Sequence, residues 1–283
     1  MRIIFNKVGL KSILTLRKVC RDLRNRIDDI KPEANLLSVS ISVEDCNISF
    51  EYHWETNVEM LERRYEDDVE YGKDVESRNT TEYSNDFIHF LETLKSFLAI
   101  ENQLLKVDNF QIHTKDQKSV IPALSLTDPQ SIHSIAITGW YRVFQPRIFT
   151  EIMEMKHWKT AKRFSSTFQI TGVSVQNFRN FSQIDVTFKS ISVEELLEFK
   201  KIFQNSTEAN QFKIWYDDTF EVREQLLENM GPAFMFDEHF EWYFRMSTTD
   251  DDVLLIQPYH PSHLIDFRRR AVADVPKHAV IQN

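Results

Sequence analysis

Glycine is scarce in this chain: five residues in 283, at Gly9, Gly72, Gly139, Gly172 and Gly231, with no two close together. Loops that cradle phosphates need closely spaced glycines so that backbone amides can approach the anion. The sequence therefore holds neither a dinucleotide fingerprint nor a P-loop, and it argues against nucleotide chemistry. Cysteine is scarcer still, with only Cys20 and Cys46, both set in apolar patterns. Two such residues give no disulfide framework, so the expected setting is reducing, either cytoplasmic or nuclear. No apolar run approaches the length of a membrane span, and no membrane partner is expected. Lys7, Lys11, Arg17 and Lys18 interrupt the opening stretch, which excludes a signal peptide, and Asp22, Asp28 and Asp29 count against a mitochondrial presequence. Positive charge is also in deficit. The formal net charge of −9 makes the chain a poor ligand for nucleic acid.

Phenylalanine, by contrast, is abundant at 22 residues, and this predicts a core built on aromatic packing. The chain opens "MRIIFNKVGLKSILTLRKVCRDLRNRIDD". Its apolar stripe recurs at Leu10, Ile13, Leu16, Cys20, Leu23 and Ile27, with basic residues on the other face, and Pro32 closes it. "LLSVSISVEDCNISFEYHW" then alternates apolar and polar residues on both sides of Glu44-Asp45-Cys46, which predicts a β-hairpin with one buried face. Residues 59–86 are dense in charge and lose periodicity, so they are expected to form an acidic, solvated loop. Beyond them, helical and strand patterns take turns. Strand centres near 107, 135, 167, 185 and 214 are expected. Their spacing of roughly 20–30 residues falls in the range of leucine-rich strand–helix units. Ser192 with Glu195 reads as a capping box opening the helix "SVEELLEFKKIF". "FEWYFRM" and "VLLIQPY" flank a polar turn and predict a second hairpin. The expected class is mixed α/β: short N-terminal helices, then an irregular leucine-rich-repeat-like solenoid with β-hairpins at each end.

Catalytic constellations are thin. His260 and His263 could offer two imidazoles to a metal with Asp266 nearby, but metal sites usually gather three or four ligands and no further motif converges on them. Residues 250–252 are three consecutive aspartates without the spacing or glycine of a calcium loop, so a hairpin turn accounts for them. No nucleophile-elbow pattern surrounds any serine. The chain is expected to be no enzyme, with no metal and no cofactor. Trp158, in "HWKTAKRF", is expected to anchor the core, and the basic residues around it to form a solvated face.

The segment "LKSILTLRKVCRDLRNRIDDIKP" resembles the second half of an F-box, in the form used by the nematode F-box A family. Leu14, Leu16, Arg17, Val19, Cys20 and Arg21 match its L-x-L-R-x-V-C-R core. The passages "LSVSISVEDCNISFEY", "HWKTAKRF", "NFRNFSQIDVTF" and "SISVEELLEFKKIF" resemble the FTH domain that accompanies it. The resemblance implies a partial F-box at 1–31 and an FTH-type interaction domain at 35–283. It also implies a substrate-recognition subunit of an SCF-type ubiquitin ligase, itself non-catalytic. Leu10, Ile13, Leu14, Leu16, Val19, Cys20 and Leu23 would then bind a Skp-type adaptor, and through it a cullin scaffold, while the FTH domain holds a target protein. The Leu-Pro opening of a complete F-box is absent, and Leu23 stands where tryptophan is common. The alternative implied is a protein-binding scaffold uncoupled from the ligase.

Overall fold

The computed structural model describes residues 35–44, 47–54, 57–64, 91–92, 104–114, 117–139, 146–217, 222–236, 239–259 and 262–283. These fall into two units, residues 1–140 and 141–283. The class is mixed α/β, with extensive, mostly open sheet and few helices.

In the first unit, alternation decides the strands. β1 (Asn35–Glu44) buries Val39 and Ile41 and turns Ser38, Ser40 and Ser42 to the other face. It pairs antiparallel with β2 (Asn47–Trp54), as the hairpin pattern predicts. On its other side lies β4 (Lys106–Thr114), in parallel, and β5 (Ser134–Thr138) follows, also parallel. Register aligns Val39 with Phe110 and Ile135, and Ile41 with Ile112 and Ile137, as two continuous buried rows. A short helix, α1 (Val120–Leu124), makes the crossover from β4 to β5 and buries Val120, Ala123 and Leu124. The return runs through an Asx turn, in which the Gln130 amide donates to Asp128 Oδ1 at 2.9 Å. β3 (Asn57–Arg64) pairs antiparallel with β2 at the far edge. It takes in residues 59–64, the first part of the segment expected to be an acidic loop; residues 65–86 lie outside the described residues. Charged side chains are well tolerated on an edge strand, and this is why composition concealed it.

The second unit carries most of the aromatic core. Three parallel strands, β6 (Arg163–Ile170), β7 (Gln183–Phe188) and β8 (Gln211–Tyr216), lie side by side in chain order. Helices α2 (Pro146–Glu154) and α3 (Lys156–Thr160) precede them. α4 (Val193–Gln204) connects β7 to β8, and α5 (Val222–Met230) follows β8. The capping box of α4 forms as its sequence predicts: Ser192 Oγ accepts from the Glu195 amide at 3.2 Å, and Glu195 Oε2 accepts from the Ser192 amide at 2.9 Å. Leu196, Phe199 and Phe203 of α4 face the sheet. The Phe199 ring meets Phe188, Phe212 and Phe267 with centroids 6.0–6.4 Å apart. Trp158 sits among Phe149, Phe164, Phe178 and Phe181 in edge-on contacts, and its indole N–H donates to the Asn177 carbonyl at 2.9 Å. The lone tryptophan of "HWKTAKRF" is a core anchor, as expected.

Two further strands continue the sheet as a hairpin, β10 (His239–Arg245) and β11 (Asp252–Tyr259). A strand not foreseen from the sequence, β12 (Leu264–Ala271), inserts between β11 and β8 and pairs antiparallel with both. Short strands β9 (Phe234–Phe236) and β13 (Ile281–Gln282) finish the edge along β10. The "LIDFRRRA" of β12 hides its strand character because it buries all of its first four residues, apolar or not, and then runs into three arginines.

Candidate protein-interaction face

The described helices of the second unit cover one face of its sheet, and strand alternation sends polar side chains to the other. Register assembles that second face in three rows. Arg163, Gln183, Gln211, Arg268, Leu255 and Tyr243 align across six strands. Ser165, Asp185, Lys213, Asp266 and Gln257 form the next row. Gln169, Thr187, Trp215, Leu264 and Tyr259 form the third.

Eight of these side chains (Asp185, Gln211, Lys213, Trp215, Gln257, Tyr259, Asp266 and Arg268) bond or pair with one another. Trp215 Nε1 donates to Asp185 Oδ1 at 2.8 Å, and Lys213 Nζ stands 4.0 Å from the other carboxylate oxygen. Asp185 thus holds the half-buried Trp215 indole by its one polar atom. Asp266 lies at the centre with 0% exposure. Arg268 Nε donates to Asp266 Oδ2 at 2.6 Å, a second nitrogen of the same guanidinium contacts that oxygen, and Gln211 Nε2 donates to both oxygens at 3.1 and 3.2 Å. The Asp266 carboxylate raises the pKa of Arg268 above the usual arginine range through these hydrogen bonds, against the opposing effect of burial. Arg268 reaches onward to the Tyr259 hydroxyl at 3.2 Å, and that hydroxyl donates to Gln257 Oε1 at 2.7 Å. On β10 the Tyr243 hydroxyl donates to Glu241 Oε2 at 2.5 Å. Burial, then this bonded carboxylate, pushes Tyr243 well above the usual tyrosine pKa. The network fixes side-chain rotamers on a sheet, which leaves these side chains little rotamer entropy to lose in any contact.

His263 sits in the turn before β12 with φ of 51°, its ring edge-on to Tyr216 at 5.6 Å, and the Asp266 carboxylate is already taken by Arg268 and Gln211. His260 lies outside the described residues. Among the described residues no group of three or more histidine, cysteine or acidic side chains converges on a metal position. In the aspartate turn, Asp252 pairs with Arg269 at 3.4 Å, and the Asp251 amide donates to Thr249 Oγ1 at 3.1 Å. Leu10, Ile13, Leu14, Leu16, Val19, Cys20 and Leu23 all lie outside the described residues. The sequence does not display the Asp185–Trp215 and Gln211–Asp266 contacts because their members sit 30 and 55 positions apart, and Arg268, only two positions from Asp266, joins them through the fold. Their sequence signal is confined to the polar positions of alternating strands in "QIDVTF" and "QFKIWY", and to the aspartate between apolar residues in "LIDFRRR".

The FTH domain model matches residues 88–227, and the F-box domain model matches residues 1–34. The chain is an F-box protein with a C-terminal FTH domain. No curated protein and no solved structure matches it significantly. The FTH match contains β4 to β8 and most of the described helices, so Asp185, Gln211, Lys213 and Trp215 belong to the FTH domain. Asp266, Arg268 and Tyr259 of the same face lie beyond it. Among the described residues of this F-box protein no helix is long and apolar enough to cross a membrane.

Proposed function

We propose that this F-box protein is a non-catalytic substrate-recognition subunit of an SCF-type ubiquitin ligase, working in the cytoplasm or nucleus without a cofactor. Residues 1–31 dock on a Skp-type adaptor through Leu10, Ile13, Leu14, Leu16, Val19, Cys20 and Leu23, and the adaptor brings the cullin scaffold. The observation that carries this reading is the pairing, in one chain, of an F-box match with an FTH domain. A short apolar stripe cannot bury itself alone, and a groove on a partner satisfies it.

The interaction domain runs over residues 35–283 on this reading, and the polar face of its second unit holds the target protein. Support comes from the in-order parallel strands β6, β7 and β8 with helices on one side, the arrangement that a strand–helix solenoid uses to present its other side to ligands. Co-purification with a Skp-type adaptor tests the first half. Leu16→Asp or Val19→Asp should abolish it, because a buried hydrophobic anchor at an interface contributes about 2–4 kcal/mol. Unchanged adaptor capture by both variants would sink the proposal. Cross-linking mass spectrometry on the captured complex tests the second half. Target cross-links should cluster on β7, β8 and β12, and Trp215→Ala should reduce them.

A further inference from the structure

The polar face does not end in polar residues. At its far side Tyr243, Val253 and Leu255 form an apolar patch, only 5%, 1% and 5% exposed. Their cover is the chain's own residues 272–283. Val275, Ala279 and Ile281, with Phe234, pack on the three. The covering stretch then joins the sheet as β13, a parallel strand of just two residues that aligns Ile281 with Tyr243 and Gln282 with Phe244.

This cover is thin. No residue of 272–283 is buried, and Val280 is 62% exposed. Val272 N–H donates to the Asp251 carbonyl at 2.8 Å, and Gln282 Nε2 donates to the Pro232 carbonyl at 3.0 Å. Neighbouring β11 and β12, by comparison, share eight aligned pairs. Twelve ordered residues are thus held by two strand pairings, a few hydrogen bonds and three half-buried apolar side chains, a poor return on the conformational entropy lost. The patch beneath is well formed, and it offers what an extended peptide needs: a strand edge for its backbone and apolar ground for alternate side chains.

We propose that the β10 edge and the Tyr243–Val253–Leu255 patch form a docking groove for an extended target segment with apolar side chains at alternate positions. Residues 272–283 are its resident competitor. This deepens the reading of the polar face as the target-binding face, since the groove continues that face. The target segment displaces β13, pairs with β10, and sets two side chains where Ala279 and Ile281 now rest.

The probe is a fluorescent synthetic peptide with the sequence of residues 272–283, tested against the full-length chain by anisotropy. Ile281→Asp in the chain releases the resident stretch. It should tighten peptide binding about tenfold, because apparent affinity scales with the fraction of chains whose groove is open. A peptide carrying the same substitution should not bind. Equal affinity for both chains, or no binding to an Ile281→Asp chain with an unaltered melt, would overturn the inference. Should that variant fail to fold, Gln282→Ala removes the bond to Pro232 and the side-chain contact at Gly231, keeps Ile281, and should still tighten binding by about two- to fivefold. No gain there overturns it as well. In the unaltered chain the amides of residues 279–282 should exchange about a hundredfold faster than those of 254–256. Equal protection would make β13 a permanent strand and end the proposal. Peptide binding without any effect of Trp215→Ala on target capture would refute the target-face reading alone. Loss of capture in Trp215→Ala, with no peptide binding, would refute the groove alone.

Discussion

Asp266 and Arg268 make an unequal pair, and that inequality can be measured. The Asp266 side chain is 0% exposed while that of Arg268 is 31% exposed. Removing one member of a buried pair costs about 3–5 kcal/mol, because the other is left charged and unpaired. Here the outcome depends on which member is left. Arg268→Ala strands a carboxylate that is fully buried in the native fold and leaves it the Gln211 amide as a partner. The loss should sit near the top of the range, about 4 kcal/mol. Asp266→Asn strands a guanidinium that can turn toward solvent and keeps its bond to the Tyr259 hydroxyl. Solvent screening then holds the loss to about 2 kcal/mol. Replacing both, with Asp266→Leu and Arg268→Met, removes the desolvation penalty along with the attraction and should cost under about 1.5 kcal/mol. Urea titration followed by tryptophan fluorescence reads all three in the unit that holds Trp158, Trp215 and Trp242. If Asp266→Asn proved as costly as Arg268→Ala, or the double variant the worst of the three, the account of this face as a network organised around a buried charge would be wrong.

Other perturbations follow from the same geometry. Trp158→Ala empties the centre of five packed rings and strands the Asn177 carbonyl, so calorimetry should show a loss of about 3–5 kcal/mol. Ser192→Ala opens the α4 capping box and should cost about 1 kcal/mol in urea, with Ser192→Thr close to neutral. Tyr243 and Tyr216 both have raised pKa values, Tyr243 through burial and its bond to Glu241, Tyr216 through burial. A tyrosine whose folded pKa exceeds its unfolded value near 10 stabilises fully below that pH and loses this contribution as pH climbs toward the folded value. Melting temperature should therefore fall above about pH 10, and Tyr243→Phe should flatten that fall; an unchanged slope would show that Tyr243 does not drive it.

How much of this was readable beforehand varied with the range of the interactions involved. β1, β7 and β8 alternate on one buried face, so a window of six to ten residues contains the whole signal. The capping box of α4 is likewise a contact three residues long. β12 escaped because Asp266 is buried against its type, and the reason lies in Gln211 and Arg268, one of them on another strand. β3 escaped because its charges suit an edge, and being an edge is a property of the sheet.

By itself, the sequence determined the family through a local string, L-x-L-R-x-V-C-R, together with the phrases of the FTH domain, and it determined the aromatic character of the core through its 22 phenylalanines. Tertiary structure alone decided which polar residues share a face, since lateral register between strands joins Asp185 to Trp215 and Asp266 to Gln211 across long stretches of chain. It alone decided that residues 272–283 lie on the apolar end of that face. The physical reason is the same in both cases: strand pairing fixes neighbours by hydrogen bonds between backbones, which every residue but proline carries alike, so the side chains leave only a faint local trace of whom they will meet.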